Sequence, residues 1–326
     1  MKQIASILTI VFIYCGLLTS AQIYKDPKRS IDERVADLMS QMTLEDKIGQ
    51  MTLADYGPLS KDLSDIVTYR IGNVLYGGDS DPGGNAYQFW SWASDTMQGW
   101  ASKVNLQIPL LIGTDAVHGH NNIENTVMFP HNIGMGCTRN PELTFEEGRV
   151  TAVELAATGI RWTFSPCLAV PQDERWGRTF EGYAERPDVV REMGVSYVKG
   201  INSVILPDGG SVMACPKHFG GDGGTEKGVD RGNTIADEQK FRELFLYPYN
   251  DTTILNSGSI MVSFNSLNGI PAFGNSYIIN DLLKKQLGFK GFVVSDWEAI
   301  GLLPGDYYSD VKTAVNAGVD MCMEAS

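Results

Sequence analysis

Between residues 30 and 51 the apolar positions recur at three- and four-residue steps. Val35, Leu38, Met39 and Met42 mark one face of a helix. Thr43-Leu44-Glu45-Asp46 sets a hydroxyl three residues ahead of an acid, so a second helix starts there. Beyond it the pattern changes to short runs, most of them rich in branched apolar residues. They lie at 71–76, 109–114, 160–164, 211–215, 259–264, 291–295 and 319–323. Stretches of helical periodicity separate these runs. The clearest is 141–158, with acids in its first turns and Gly159 beyond its end; 237–249 and 278–287 are others. Strand alternating with helix predicts a parallel sheet covered by helices. Several runs are apolar at consecutive positions, as a strand buried on both faces requires.

The expected fold is therefore α/β, a TIM-type (β/α)8 barrel. Seven strand candidates against the eight of a closed barrel make it C-terminally incomplete in this chain, short of at least one βα unit. No Pro/Ser-rich linker, low-complexity tract or short repeat divides residues 22–326, which read as one large domain.

Composition narrows the function classes. The 326 residues are 43% hydrophobic and 20% charged, with a formal net charge of −13 and no Lys/Arg-rich run. Phosphate binding needs clustered positive charge, so a nucleic-acid partner is excluded. Residues 1–21 differ from the rest. Lys2 supplies a positive start, residues 7–18 are almost entirely apolar, and Thr19-Ser20-Ala21 supplies small residues. This is the layout of a secretory signal peptide ending at residue 21. Its apolar run is too short to span a bilayer, so no stable membrane anchor is expected, and the mature protein is periplasmic or extracellular. Of five cysteines, Cys15 falls in that segment. Cys137, Cys167, Cys215 and Cys322 are widely spaced with no CxxC pair. That spacing argues against structural zinc and a dense disulfide framework, leaving room for one disulfide.

The chemistry gathers just past the C-terminal ends of the predicted strands, the face where a β/α barrel carries its active site. PLLIGT is followed by Asp115, then Ala-Val-His118-Gly-His120. IRWTFSP leads to Asp173-Glu174-Arg175-Trp176-Gly177-Arg178. SVMAC leads to Lys217-His218-Phe219 and a Gly-Gly-Asp222-Gly-Gly loop. Asn265 follows SIMVSF, Asp296-Trp297 follows FVVS, and Glu324 follows VDMCM. Singly, each has a bland reading. Asp115 or Asp296 caps a turn or helix, Arg178 forms a surface ion pair, and Lys217-His218 caps a strand. His118, His120 and His131 sit in the core or in loops, and Asp222 turns a loop. HGH lacks the helical spacing of a metal pair, and no metal or organic cofactor is expected.

Together they have the composition of a sugar site. Asp115 accepts from hydroxyls, Arg178, Lys217 and His218 donate to others, and Trp297 offers a flat face for a pyranose ring. Asp296 among cations is expected to stay ionised, because nearby positive charge lowers a carboxyl pKa.

These stretches resemble family 3 glycoside hydrolases, in the β-glucosidase and exo-β-glucanase branch. The matching segments are GTDAVHGHNN (113–122), SPCLAVPQDERWGRTFE (165–181), PKHFGGDGGT (216–225), GIPAFGN (269–275) and GFKGFVVSDWEAI (288–300). They span nearly the whole mature chain in order. The resemblance implies a barrel with Asp296 of SDW as nucleophile and Trp297 as the sugar-stacking wall. It also implies Asp115, Arg178, Lys217 and His218 as partners of the terminal sugar's hydroxyls. The implied activity is that of a retaining, exo-acting β-glucosidase on terminal nonreducing β-D-glucosyl residues. The acid/base Glu of this branch lies in a following α/β sandwich domain beyond residue 326, so the fragment alone is expected to be inactive. Phe264 stands where relatives often carry Tyr. The KHFGGDGGT loop lacks the His of the N-acetylglucosaminidase branch, which favours glucosides. Rival readings are a β-xylosidase or exo-1,3/1,4-β-glucanase, a Schiff-base aldolase using Lys217, and, for this fragment, a non-catalytic sugar-binding domain.

Overall fold

The computed structural model describes residues 22–77 and 80–325. Residues 1–21, read from sequence as a signal peptide, and their Cys15 lie outside them. Residues up to Leu44 form a compact unit of their own, and those from Glu45 onward form another. In the first unit, helix α1 (Ile31–Gln41) begins at a reciprocal cap. Ser30 Oγ accepts from the Glu33 amide, and the Glu33 carboxylate accepts from the Ser30 amide. Helix α2 (Leu44–Gln50) starts at the predicted break.

The second unit is built on short parallel strands: β1 (Thr52–Asp55), β2 (Asn73–Leu75), β3 (Leu111–Thr114), β4 (Trp162–Thr163), β5 (Met213–Ala214), β6 (Ser259–Met261), β7 (Phe292–Val294) and β8 (Cys322–Glu324). Their hydrogen-bonded order is β8-β1-β2-β3-β4-β5, with β6 paired to β7. Parallel bridges carry the ladder across both remaining seams, Phe219 to Val262 between β5 and β6, and Val294 to Met321 between β7 and β8. Around this series β3 and β7 lie four strands apart in either direction.

The count corrects the sequence reading. An eighth strand, β1, precedes the seven predicted runs. Thr52-Leu53-Ala54-Asp55 has no run of branched apolar residues, and of its apolar side chains only Leu53 is fully buried. Its strand character comes from pairing on both sides, Leu53 opposite Met323 of β8 and Asn73 of β2. Tertiary pairing, rather than propensity, makes the strand.

Successive strand residues belong to different cores. Leu75, Met261 and Val294 join Leu53, Trp162, Phe164, Met321 and Met323 in an inner cluster. Their neighbours Val74, Ile260 and Val293 pack outward with the helices. This two-residue alternation, buried on both sides, explains why the strands read as continuous apolar runs. Trp162 is wholly buried and its indole N–H donates to Ser259 Oγ at 2.8 Å, crossing from β4 to β6. Outside the strands, helix α3 (Pro141–Ala157) is capped by Asn140 and stops before Gly159 in the left-handed region, as its sequence predicts. The predicted helix at 237–249 is continuous but changes pitch, from α to a six-residue π turn at Phe241–Leu246 and a 3-10 end.

Candidate active site

Three strands deliver their side chains by a short path, and β4 by a long loop. Asp115 follows β3 directly. Lys217 and His218 come three and four residues after β5, and Asp296 and Trp297 two and three after β7. Arg178, in the long loop after β4, precedes a 3-10 turn at Thr179–Glu181. All six line a single cavity of about 380 Å3. Leu75, Met261 and Met323 belong both to its lining and to the inner core, so the cavity rests on top of the barrel's packed interior.

Asp296 holds its backbone neighbour through one oxygen. Oδ1 accepts from the Trp297 amide at 2.7 Å, while Oδ2 is buried with no hydrogen-bond partner. His218 Nε2 lies 3.6 Å from that oxygen. The histidine's tautomer follows from its neighbours. An arginine only donates, and Arg178 Nη2 is 3.0 Å from Nε2, so Nε2 accepts. Nδ1 then carries the proton and donates to Asp222 Oδ2 at 2.7 Å. Asp222, read from sequence as a turn residue, therefore orients His218. Arg178 is oriented in turn by Glu181, through paired bonds of 2.6 and 2.8 Å. Burial raises the Glu181 carboxyl, but Arg178, then Lys217 and His218, outweigh it and hold it down to about 2. Glu181 was absent from the sequence candidates, although its three-residue spacing from Arg178 was the available signal.

Lys217 is only 4% exposed, and its Nζ donates to Asp115 Oδ1 at 2.5 Å. Burial pulls the ammonium down, yet Asp115 and Glu181 more than offset it and its pKa lies above the ordinary lysine value. A permanently charged lysine is unsuited to Schiff-base chemistry.

For Asp296 the balance runs the other way, against the expectation from sequence. Burial is the largest influence and raises its pKa; His218, Arg178 and Lys217 lower it by less. Counting cations predicted a depressed value because sequence does not reveal that the carboxyl is only 8% exposed.

Three further expectations are revised. Asn265 does not line the cavity; its amide nitrogen lies within hydrogen-bonding distance of Gly220 O, Thr234 Oγ1 and Ser266 O, tying together the loops after β5 and β6. Glu324 belongs to the outward parity of β8, and Met323 faces the site instead. Of the histidines, His118 and His131 line the cavity while His120 is fully buried, its Nε2 3.3 Å from Thr158 Oγ1. Gly119 separates the two directions. It has φ +93°, and a Cβ there would lie 2.1 Å from Val127 O. Phe264 lies beneath Arg231, whose guanidinium carbon is 4.1 Å from the ring centroid.

Cys167, His218 and Asp222 bring potential ligand atoms within 4.8 Å of one another. The set fits a metal poorly. Both ring nitrogens of His218 are engaged, and burial pushes the Cys167 thiol far up, so it keeps its proton. The four cysteines among the described residues are free thiols. A larger cavity of about 670 Å3 borders Thr52, Ala54, Leu59, Ile71 and Glu324, and Arg70 is the one cation among its described lining residues. Its charged residues are acidic apart from Arg70, so it lacks the mixture of cations and carboxylates found around Asp296.

Known proteins share this arrangement of strands. Residues 43–326 match the model of the glycosyl hydrolase family 3 N terminal domain. A periplasmic beta-glucosidase of Salmonella typhimurium is 33% identical over 90% of this chain and 37% of its own length. A beta-xylosidase of Formosa agariphila is 30% identical over 93% of this chain and 38% of its own. The crystal structure of an exo-1,3/1,4-beta-glucanase from a Pseudoalteromonas species superposes with a TM-score of 0.83 at 40% identity, covering 92% of this chain and 39% of that one. The chain thus spans about two fifths of the length of the relatives it matches. With a family model matching from residue 43 onward and a TIM-type α/β fold bearing its charged side chains on one rim, the chain belongs to glycosyl hydrolase family 3.

Proposed function

We propose that this chain carries the nucleophile and the sugar-gripping half of a retaining, exo-acting β-glucosidase. The observation that carries the reading is convergence. Asp115, Arg178, Lys217, His218, Asp296 and Trp297, from four separate strand ends, line one cavity. In this reading Asp296 Oδ2 attacks the anomeric carbon as the bond to the leaving oxygen breaks, giving a glycosyl ester. A carboxylic acid outside this chain protonates the leaving oxygen. The same group then takes a proton from water, which attacks the anomeric carbon and releases Asp296. Two inversions at one carbon retain the β configuration.

The buried, unpartnered oxygen of Asp296 suits attack, since it spends no hydrogen bond in the resting state. Lys217, held by Asp115, and Arg178, held by Glu181, are preorganised donors for sugar hydroxyls. Trp297 supplies the flat wall. Export is part of the proposal. It rests on the signal-peptide pattern of residues 1–21 and on likeness to a periplasmic relative. No helix among the described residues is long and apolar enough to cross a membrane.

A second reading, a β-xylosidase or exo-1,3/1,4-β-glucanase, is favoured by the likeness to such proteins and uses the same nucleophile. The test of the nucleophile is Asp296→Asn in the full-length protein. Turnover of an aryl β-glucoside should fall by about 10⁴-fold or more while the protein folds; activity within tenfold of the parent contradicts the assignment.

A further inference from the structure

The loop after β3, joined by Phe180 from the loop after β4, builds a wall that the charged residues do not explain. Val117, His118, Asn121, His131 and Phe180 line the cavity there. Three rings form a ladder. The His118 and His131 centroids are 4.0 Å apart, and Phe180 meets His131 edge-on at 4.7 Å and 75°. His118 is fixed at its base, because Nδ1 donates to the Phe129 carbonyl at 2.9 Å. Partial desolvation, then His118, lower the His131 pKa, and Glu181 opposes them. Within the same wall the carboxamide oxygen of Asn121 is buried without a hydrogen-bond partner. An apolar ladder beside one unmatched acceptor is an arrangement that fits a small group with an apolar carbon and a single hydroxyl.

Strand order says which part of a sugar would meet it. Asp296 follows β7, and all of this wall but Phe180 follows β3, the strand four places away in either direction. A pyranose with its anomeric carbon at Asp296 presents C4, the ring atom opposite C1, toward β3, flanked by C3 and C5, and of these two only C5 bears a carbon substituent with a hydroxyl on it. We propose that the wall receives the hydroxymethyl substituent on C5. The His131 and Phe180 rings pack its methylene, and Asn121 Oδ1 accepts its hydroxyl. The wall is thus a specificity determinant for a hexoside over a pentoside, an assignment that rests on the glycosidase reading above.

The test compares aryl β-glucoside with aryl β-xyloside, which differ by that substituent alone, on the full-length protein. Asn121→Ala and, independently, Phe180→Ala are measured; the Phe180 ring is 41% exposed, so its loss spares the core. Each should lower the ratio of kcat/KM for glucoside over xyloside by about tenfold, with xyloside kcat/KM within about twofold of the parent. Equal losses on both sugars, or an unchanged ratio, overturn the wall's assignment and leave the glycosidase reading standing. Cleavage of neither sugar by the unmodified protein overturns that reading, and the wall with it.

Discussion

Two aspartates face the same cavity from opposite sides of the barrel and live in opposite conditions. The Asp115 side chain is 54% exposed and bonded to Lys217 at 2.5 Å. Asp296 is 8% exposed, and one of its oxygens has no hydrogen-bond partner. Asp115 is neutralised by a fixed cation and reachable by solvent, which suits a group that exchanges water for sugar hydroxyls. Asp296 is dry and under-solvated, which suits a group that forms a bond. The difference does not lie in the residue type. It lies in which strand each follows and in what surrounds it, and it fits the proposed division in which Asp115 grips and Asp296 reacts.

After loss of the proposed nucleophile itself, breaking the proposed gripping side should have the next largest effect. Asp115→Asn leaves the Lys217 ammonium buried without its carboxylate and removes a charged acceptor for hydroxyls. Because a buried charge deprived of its partner costs about 2–5 kcal/mol, kcat/KM for an aryl glucoside should drop about 100-fold or more. A loss under threefold would show that Asp115 does not hold the sugar.

The reacting side can be sharpened through stability. The folded Asp296 carboxyl holds its proton more tightly than the unfolded one. As pH rises, the unfolded chain ionises first, so the native state loses stability through that window and stays penalised above it. Asparagine does not ionise. Asp296→Asn should therefore raise the melting temperature at pH 7 by about 2–4 °C, and the gain should shrink as the pH falls and Asp296 regains its proton. A lower melting temperature at pH 7 would mean that the cations outweigh burial.

The site was legible where residue types announce their chemistry. Asp115, Arg178, Lys217, His218, Asp296 and Trp297 were all nameable from their places after strands, and all six line the cavity. What sequence hid were residues whose roles depend on orientation. Glu181 and Asp222 orient Arg178 and His218, and neither directly follows a strand. His118 and His120 diverge only because Gly119 takes a left-handed turn. Glu324 shows a signal that was present and unused. In Met321-Cys322-Met323-Glu324 the alternation puts both methionines inside, which places the glutamate outside. Strand β1 was hidden for a different reason. Its four residues carry almost no hydrophobic pattern, and the strand exists because β8 and β2 flank it.

The central claim, one nucleophilic carboxylate aimed at the anomeric carbon, is tested most directly by trapping. A 2-deoxy-2-fluoroglucoside with a good leaving group slows release of the glycosyl ester more than its formation, so the intermediate accumulates. Mass spectrometry of the digested full-length protein should find one fluoroglucosyl group per chain, on the peptide containing Asp296. Label on another residue, or turnover of ordinary glucosides with no covalent adduct, would contradict the account.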